Sequence, residues 1–325
     1  MNSSSALLDV QNLRVSFSTE EGTVQVLKGL SYSLPKGKVL AVVGESGSGK
    51  TVHALSLLRL LPPTADIEEG HVLFEGKDLV SLPERQLRKL RGARISMIFQ
   101  DPMSSLNPVL TVGEQLKETI LAHRKISKLR AKAAAIRLLK KVGILDAARR
   151  YDQYPFQFSG GMCQRVMIAM ALALKPQVLI ADEPTTALDV TIQAQILRLI
   201  KNLQQQTGMS AVFITHNLAL VADVADEVLV LYGGLCMEKA SVQAIFKNPL
   251  HPYTQGLLNS LVSINKKEDL LPAIAGNPPV PGKECPGCPF APRCQRAEKR
   301  CFQTRPPLFG KREHQAACWL LEEKA

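Results

Sequence analysis

One stretch restricts the fold of this chain before anything else: Val39-Leu40-Ala41-Val42-Val43 runs directly into Gly44-Glu45-Ser46-Gly47-Ser48-Gly49-Lys50-Thr51. Five consecutive apolar residues suit a strand buried on both faces, which belongs in a parallel sheet covered by helices. Residues Thr51–Leu61 then read as a helix stopped by Pro62-Pro63. A glycine-rich loop between a buried strand and a helix is the context in which successive backbone N–H groups converge on phosphate oxygens. Gly44, Ser46, Gly47 and Gly49 form that cradle, Lys50 can reach the β- and γ-phosphates, and the Thr51 hydroxyl suits a Mg²⁺ ion.

The rest of the chain alternates in the same manner. Leu8, Val10, Leu13, Val15 and Phe17 mark half-buried antiparallel strands within 7–34, and Val72-Leu73-Phe74 is strand-like. Helical patterns dominate from about 85 to 175, including Glu114–His123, Leu129–Val142 and Gln164–Leu174. Apolar strands return at Val178–Ala181, Ala211–Thr215 and Glu227–Leu231, with a helix at Ile192–Gln206. The expected architecture is α/β, with an antiparallel β subdomain and an inserted helical subdomain at about 90–175.

Hydrophobic residues make up 46% and charged residues 21% of the 325, ordinary for a soluble globular chain. No apolar run approaches the roughly 18–20 residues a spanning helix needs. The first residues, Met1-Asn2-Ser3-Ser4-Ser5, lack the basic and apolar regions of a secretory signal, so the expected location is cytoplasmic. The net charge of +11 is concentrated between Lys117 and Arg150, where eleven Lys or Arg residues face Glu118 and Asp146. Such a stretch is either a solvated helix face or a face near anionic lipid headgroups. Aromatics are only 5% and are not interleaved with the basic residues, which argues against a nucleic-acid partner.

Two further elements carry chemistry. Asp182 and Glu183 close the apolar run Val178–Ala181, where a parallel sheet opens its ligand crevice. Asp182 suits the Mg²⁺ shell and Glu183 suits orienting the water that attacks a γ-phosphate. Upstream, Ser159-Gly160-Gly161 precedes the helical run Met162–Leu174 and makes a second helix N-terminus with exposed N–H groups.

Together, these motifs resemble the ATP-binding subunits of ABC transporters: the phosphate loop, Phe158-Ser159-Gly160-Gly161-Met162-Cys163-Gln164-Arg165, and Val178-Leu179-Ile180-Ala181-Asp182-Glu183-Pro184. The resemblance implies further roles: Gln100 touches Mg²⁺ and the attacking water, and His216 contacts the γ-phosphate. Phe17 falls where the family stacks an aromatic on adenine, although an alternating strand position also suits a core residue. It implies a head-to-tail dimer in which Ser159, Gly160 and Gly161 cap the ATP of the partner, with Ala187-Leu188-Asp189 along the interface. The common signature Leu-Ser-Gly-Gly-Gln is altered at Phe158 and Met162, while the serine and glycines that meet phosphate are kept.

Three stretches are narrower: 99–108 (Phe-Gln-Asp-Pro-Met-Ser-Ser-Leu-Asn-Pro), 187–195, and Asn248-Pro249-Leu250-His251-Pro252-Tyr253-Thr254. They resemble the dipeptide/oligopeptide permease branch, a pattern that nickel and glutathione importers share. This implies a second, homologous ATP-binding subunit, two membrane-spanning permease subunits and an extracytoplasmic substrate-binding protein, with the chain peripheral on the cytoplasmic face of the cell (inner) membrane. A soluble ABC ATPase acting on ribosome or DNA fits less well, because there is one phosphate loop and no heptad array. A scaffold subunit with a dead site conflicts with Lys50, Gln100, Glu183 and His216.

Composition shifts after about residue 262. Proline becomes dense and five of seven cysteines fall within Cys285–Cys318. The expected organisation is an ATP-binding domain over 1–262 and a Pro/Cys-rich C-terminal extension over 263–325, with little regular structure and no hydrophobic core of its own. Crowded thiols in a cytoplasmic chain favour a metal over disulfides, and the spacing is not that of a paired Cys-x2-Cys zinc ribbon. Cys288, Cys294, Cys301 and Cys318 resemble the extension of this branch that is associated with a 4Fe–4S cluster. Zinc and bare thiols remain the alternatives, and Cys285 competes as a ligand through its Cys-Pro-Gly-Cys pairing with Cys288. Cys163 and Cys236 read as packing residues.

Overall fold

The computed structural model describes residues 6–186, 188–260, 274–279, 282 and 285–324. The expected boundary at 262/263 and Ala187 lie outside them. In chain order the N-terminal part contains β1 (Leu8–Thr19), β2 (Gly22–Leu34), β3 (Val39–Val43), α1 (Lys50–Ser56), β4 (Ala65–Phe74) and β5 (Lys77–Asp78). The middle contains α2 (Glu84–Leu90), β6 (Ile95–Ile98), α3 (Pro102–Ser105), α4 (Val112–Leu121) and α5 (Lys128–Lys141). It continues with α6 (Ala147–Arg150), α7 (Gly160–Ala171), β7 (Val178–Asp182), α8 (Val190–Thr207) and β8 (Ser210–Thr215). Then come α9 (Leu218–Val224), β9 (Glu227–Tyr232), β10 (Leu235–Ser241), α10 (Val242–Lys247), α11 (Pro252–Asn259), α12 (Lys299–Gln303), β11 (Phe309–Lys311) and β12 (His314–Ala316).

Two compact units result, one of residues 1–80 with 214–325 and one of residues 81–213. The first holds an antiparallel sheet in the order β2–β1–β4–β5, as the alternation over 7–34 predicts. It also holds strands in the order β11–β12–β10–β9–β3, in which β3 and β9 run parallel with Ala41 opposite Val228. Every residue of β3 is buried, which explains its unbroken apolar run. The second unit holds the order β8–β7–β6, with β6 and β7 parallel and Ile95 opposite Val178. The helices α3 to α7 are inserted between those two strands. This is α/β architecture with an antiparallel sheet and a helical insertion.

The basic stretch becomes α5, whose buried stripe is Ala131, Ala135 and Leu139 at a spacing of four. The small buried residues let the helix pack closely while its Lys and Arg side chains face outward. Five helices of this unit start on side-chain caps that accept an N–H from the first turn: Asp101 for α3, Thr111 for α4, Ser127 for α5, Ser159 for α7 and Asp189 for α8.

Two expectations change. The helix after the phosphate loop is α1 and ends at Ser56, well before Pro62, because Arg59 takes a left-handed conformation at φ 51°. The C-terminal segment also carries more structure than its prolines suggest. β12 adds antiparallel to β10, with Lys239 opposite Gln315. Cys288, Phe290 and Ala291 are buried in one apolar cluster with Tyr232, Ile245 and Tyr253. The Phe290 ring lies 5.5 Å from that of Tyr232 and 5.2 Å from that of Tyr253. Among the described residues, no helix is long and apolar enough to cross a membrane.

Candidate functional site

The phosphate loop belongs to the first unit, and its glycines are required by close backbone approach at Gly44 and by positive φ at Gly47 and Gly49. A Cβ on Gly44 would lie 2.1 Å from the Leu231 carbonyl oxygen, and Gly49 sits at φ 102°. Ser46 and Gly47 are exposed at the loop tip. Lys50 is 5% exposed, and its Nζ donates to the carbonyls of Gly44 and Glu45, both at 2.9 Å. Its ammonium therefore rests across the mouth of the loop. Thr51 is exposed in the first turn of α1. The turn Gly233-Gly234 buttresses the loop, since the Gly234 N–H donates to the Ser48 carbonyl at 3.1 Å. Sequence reading missed that support; its only trace is the glycine pair between two apolar strands.

Phe17 is half-buried in β1, opposite Val24 of β2 and Ala65 of β4. A register shift between Val15 and Ser16 buries both of those neighbours, which resets the alternation and keeps Phe17 out of the core. His216 is exposed just after β8, ahead of α9, whose cap Asn217 accepts from the Ala219 N–H at 3.0 Å.

The second unit assembles the carboxylates. Asp182 ends β7 at 2% exposure, and Glu183 leaves the strand at φ 43°, a conformation uncommon for a residue with a side chain. The turn swings Glu183 away from Asp182 and into reach of Gln100, whose Nε2 donates to Glu183 Oε2 at 3.3 Å. The Thr186 hydroxyl donates to the same oxygen at 2.8 Å. Two residues predicted 83 positions apart are thus in contact, with Thr186 as an orienting partner that carried no sequence signal. Ser159 caps α7, accepting from the Met162 N–H at 3.4 Å, with Ser159 and Gly160 exposed. A Cβ on Gly161 would lie 2.9 Å from Ile192 Cγ2, so the second signature glycine is required by packing. Asp189 accepts from the Ile192 N–H at 2.9 Å, and this carboxylate is engaged at the start of α8.

At the C-terminal end, Cys288, Cys294, Cys301 and Cys318 line one small pocket with His251 and Trp319. Cys285 is outside it, and its thiol donates to the Cys288 carbonyl at 3.6 Å. Burial pushes the Cys288 thiol up to about 11 and raises that of Cys318, so both hold their protons at neutral pH. None of the described cysteines is in a disulfide. Among the described residues, no group of three or more His, Cys, Asp or Glu side chains could hold a metal ion. Cys163 is fully buried in α7 and Cys236 lies in β10; burial raises both thiols, as packing positions require.

Comparison with known proteins identifies the family. The ABC transporter family model matches residues 27–186, and that of the oligopeptide/dipeptide transporter C-terminal region matches residues 237–301. The dipeptide transport ATP-binding protein DppD of Bacillus subtilis is 50% identical over 321 residues, spanning 98% of this chain and 96% of that protein. The oligopeptide transport ATP-binding protein OppD of Haemophilus influenzae is 47% identical over 98% of each chain. Among solved structures, a dimeric ATP-binding cassette in a post-hydrolysis state with ADP and Pi matches 72% of this chain and 98% of its own. Its TM-score is 0.65 at 28% identity. The chain therefore belongs to the ABC transporter ATP-binding proteins, in the branch that carries the oligopeptide/dipeptide transporter C-terminal region.

Proposed function

We propose that this chain hydrolyses ATP to drive import of dipeptides or oligopeptides through a membrane complex. The observation that carries the ATPase reading is Lys50 laid over the loop carbonyls at 2.9 Å, within a glycine cradle whose first glycine, Gly44, admits no side chain. An arriving triphosphate offers that ammonium stronger acceptors than two carbonyls. Gly44, Ser46, Gly47 and Gly49 shape the cradle, and Phe17 offers an adenine platform. Mg²⁺, when bound, would neutralise charge on the phosphates, and Thr51, Gln100 and Asp182 are the residues that the family resemblance assigns to it. Glu183 orients the attacking water, steadied by Gln100 and Thr186, and His216 contacts the γ-phosphate.

The exposed Ser159–Gly161 helix start has no use for the ATP held by this chain's own loop. We assign it to the ATP of a second, homologous subunit, with Asp189 along the shared face. The peptide cargo rests on the relatives, which are dipeptide and oligopeptide transport ATP-binding proteins. The same reading implies two permease subunits, a substrate-binding protein outside the cell, and a peripheral position on the inner membrane's cytoplasmic face.

We propose, on the family resemblance and on four cysteines lining one pocket, that the C-terminal segment holds a 4Fe–4S cluster, with zinc or bare thiols as the alternatives. When bound, the cluster would hold Cys288, Cys294, Cys301 and Cys318 as thiolates, leaving Cys285 out.

The test of the catalytic assignment is Glu183→Gln in the assembled transporter. It should trap ATP and lower hydrolysis by about 100-fold or more, with uptake abolished. Full uptake by that variant would refute it.

A further inference from the structure

The C-terminal segment grips the phosphate loop through one side chain. Arg293, between Pro292 and Cys294, has its side chain 6% exposed and makes a two-pronged ion pair with Glu45. Nη1 donates to Glu45 Oε2 at 2.6 Å and Nη2 to Oε1 at 3.1 Å. Nη1 also donates to the Tyr232 hydroxyl at 3.1 Å, Nη2 to the Ile274 carbonyl at 3.1 Å, and Nε to the Ala275 carbonyl at 2.9 Å. The five contacts match the five N–H donors of a guanidinium, so it has no rotational freedom left.

Glu45 is the loop residue immediately after Gly44; within the loop the Ser48 N–H donates to its carbonyl at 3.3 Å, and three side chains hold it as well. Arg293 takes its carboxylate, the Tyr253 hydroxyl accepts its backbone N–H at 2.9 Å, and Lys50 donates to its carbonyl at 2.9 Å. The third of these is temporary if the loop binds ATP, because Lys50 must release the carbonyl to reach a phosphate. Arg293 and Tyr253 are then the side chains that still hold Glu45, beside the Ser48 N–H on its carbonyl.

Resting on the phosphate-loop reading above, we propose that Arg293 is a positioning residue for ATP binding. It fixes Glu45, and with it the loop backbone, in the nucleotide-accepting conformation while Lys50 turns to the phosphates. The C-terminal segment thereby supplies a working part of the ATP site.

Equilibrium binding of radiolabelled ATP to the full-length chain tests this, with Arg293→Ala, Arg293→Lys, Glu45→Gln and the double variant Arg293→Ala/Glu45→Gln. Each single change should raise the Kd for ATP about tenfold, as expected for loss of a charge-assisted pair. The double variant should bind no more weakly than the weaker single, because both remove one interaction. Arg293→Lys should not restore affinity, since an ammonium cannot make the two-pronged contact. In the assembled transporter, hydrolysis at saturating ATP should stay within about twofold of wild type, which places the effect on binding. If Arg293→Ala does not fold, Glu45→Gln decides alone, because it leaves Arg293 with Tyr232, Ile274 and Ala275. Unchanged Kd in Glu45→Gln, or losses that multiply in the double variant, would overturn the proposal. Lys50→Ala is the control on the underlying reading: wild-type ATP affinity there removes the phosphate loop itself as the site.

Discussion

Gly44 shows how much one position can carry. It ends a buried strand and opens the phosphate loop, and any side chain on it would meet the Leu231 carbonyl at 2.1 Å and Ser48 Oγ at 2.8 Å. A backbone oxygen cannot rotate away as a side chain can. Gly44→Ala should therefore cost about 3 kcal/mol or more in urea unfolding and abolish ATP binding. Wild-type stability would show that the strand shifts to absorb the methyl group. At this scale Lys50, Asp182 and Glu183 are legible because their residue types and spacing follow from phosphate chemistry, whereas Gln100 is named only by the family resemblance. Thr186 and Arg293 are not. A threonine hydroxyl on Glu183 and an arginine 248 residues from Glu45 gain meaning only once the chain has brought them together.

At the scale of elements, α1 links the loop to the core through a buried histidine. His53 is fully buried, contacts the Tyr32 hydroxyl at 2.8 Å through Nε2, and finds no partner for Nδ1 among the described residues. Burial lowers its pKa to about 3, and burial likewise lowers that of His251 to about 3. Both are neutral in the folded chain, so below about pH 6.5 the unfolded chain binds protons that the folded chain does not. Stability is complete above that pH and falls as pH drops toward 3. The expected loss is about 1.4 kcal/mol per histidine at pH 5.5 relative to pH 7.5. Urea titrations at those two values check it, and His53→Gln should remove about half of the difference. An unchanged pH dependence in that variant would mean that His53 titrates normally.

The same scale shows why element boundaries were partly unreadable. The periodicity of 51–61 is helical, but the left-handed Arg59 ends the helix early, and nothing in residue type demands that. The buried carboxylate of Glu238 is a second case. It accepts from the N–H groups of Leu250 and His251 at 2.8 and 2.9 Å and from His314 Nε2 at 2.7 Å. It ties β10 to the turn before α11 and to β12, three segments with no sequence pattern in common. A buried carboxylate is tolerated only where such donors converge.

For the molecule as a whole, the C-terminal segment is the part that changed most between reading and structure. Phe290 and Cys288 pack against Tyr232 and Tyr253, so the segment is part of the core of its unit. The four-cysteine pocket makes a measurable claim. Anaerobically purified chain should carry about four irons with broad visible absorbance, and Cys294→Ser should lower iron content while Cys285→Ser should not. Colourless protein with stoichiometric zinc would sink the cluster. Deleting residues 285–325 should expose the Tyr232 and Tyr253 rings and cost about 3–5 kcal/mol, the usual loss for removing a large buried aromatic, read as a lower urea midpoint.

By itself the sequence determined the α/β class, the phosphate loop, the carboxylate pair, and the signature serine and glycines. These are local: buried strands must be apolar, and phosphate chemistry needs glycine, lysine and hydroxyl at set intervals. Only the tertiary structure decided that Gln100 and Thr186 meet on Glu183, that β12 extends the strands of β10, and that Arg293 holds Glu45. Those contacts join segments far apart in the chain, and residue type alone does not say which distant partner a buried charge will find.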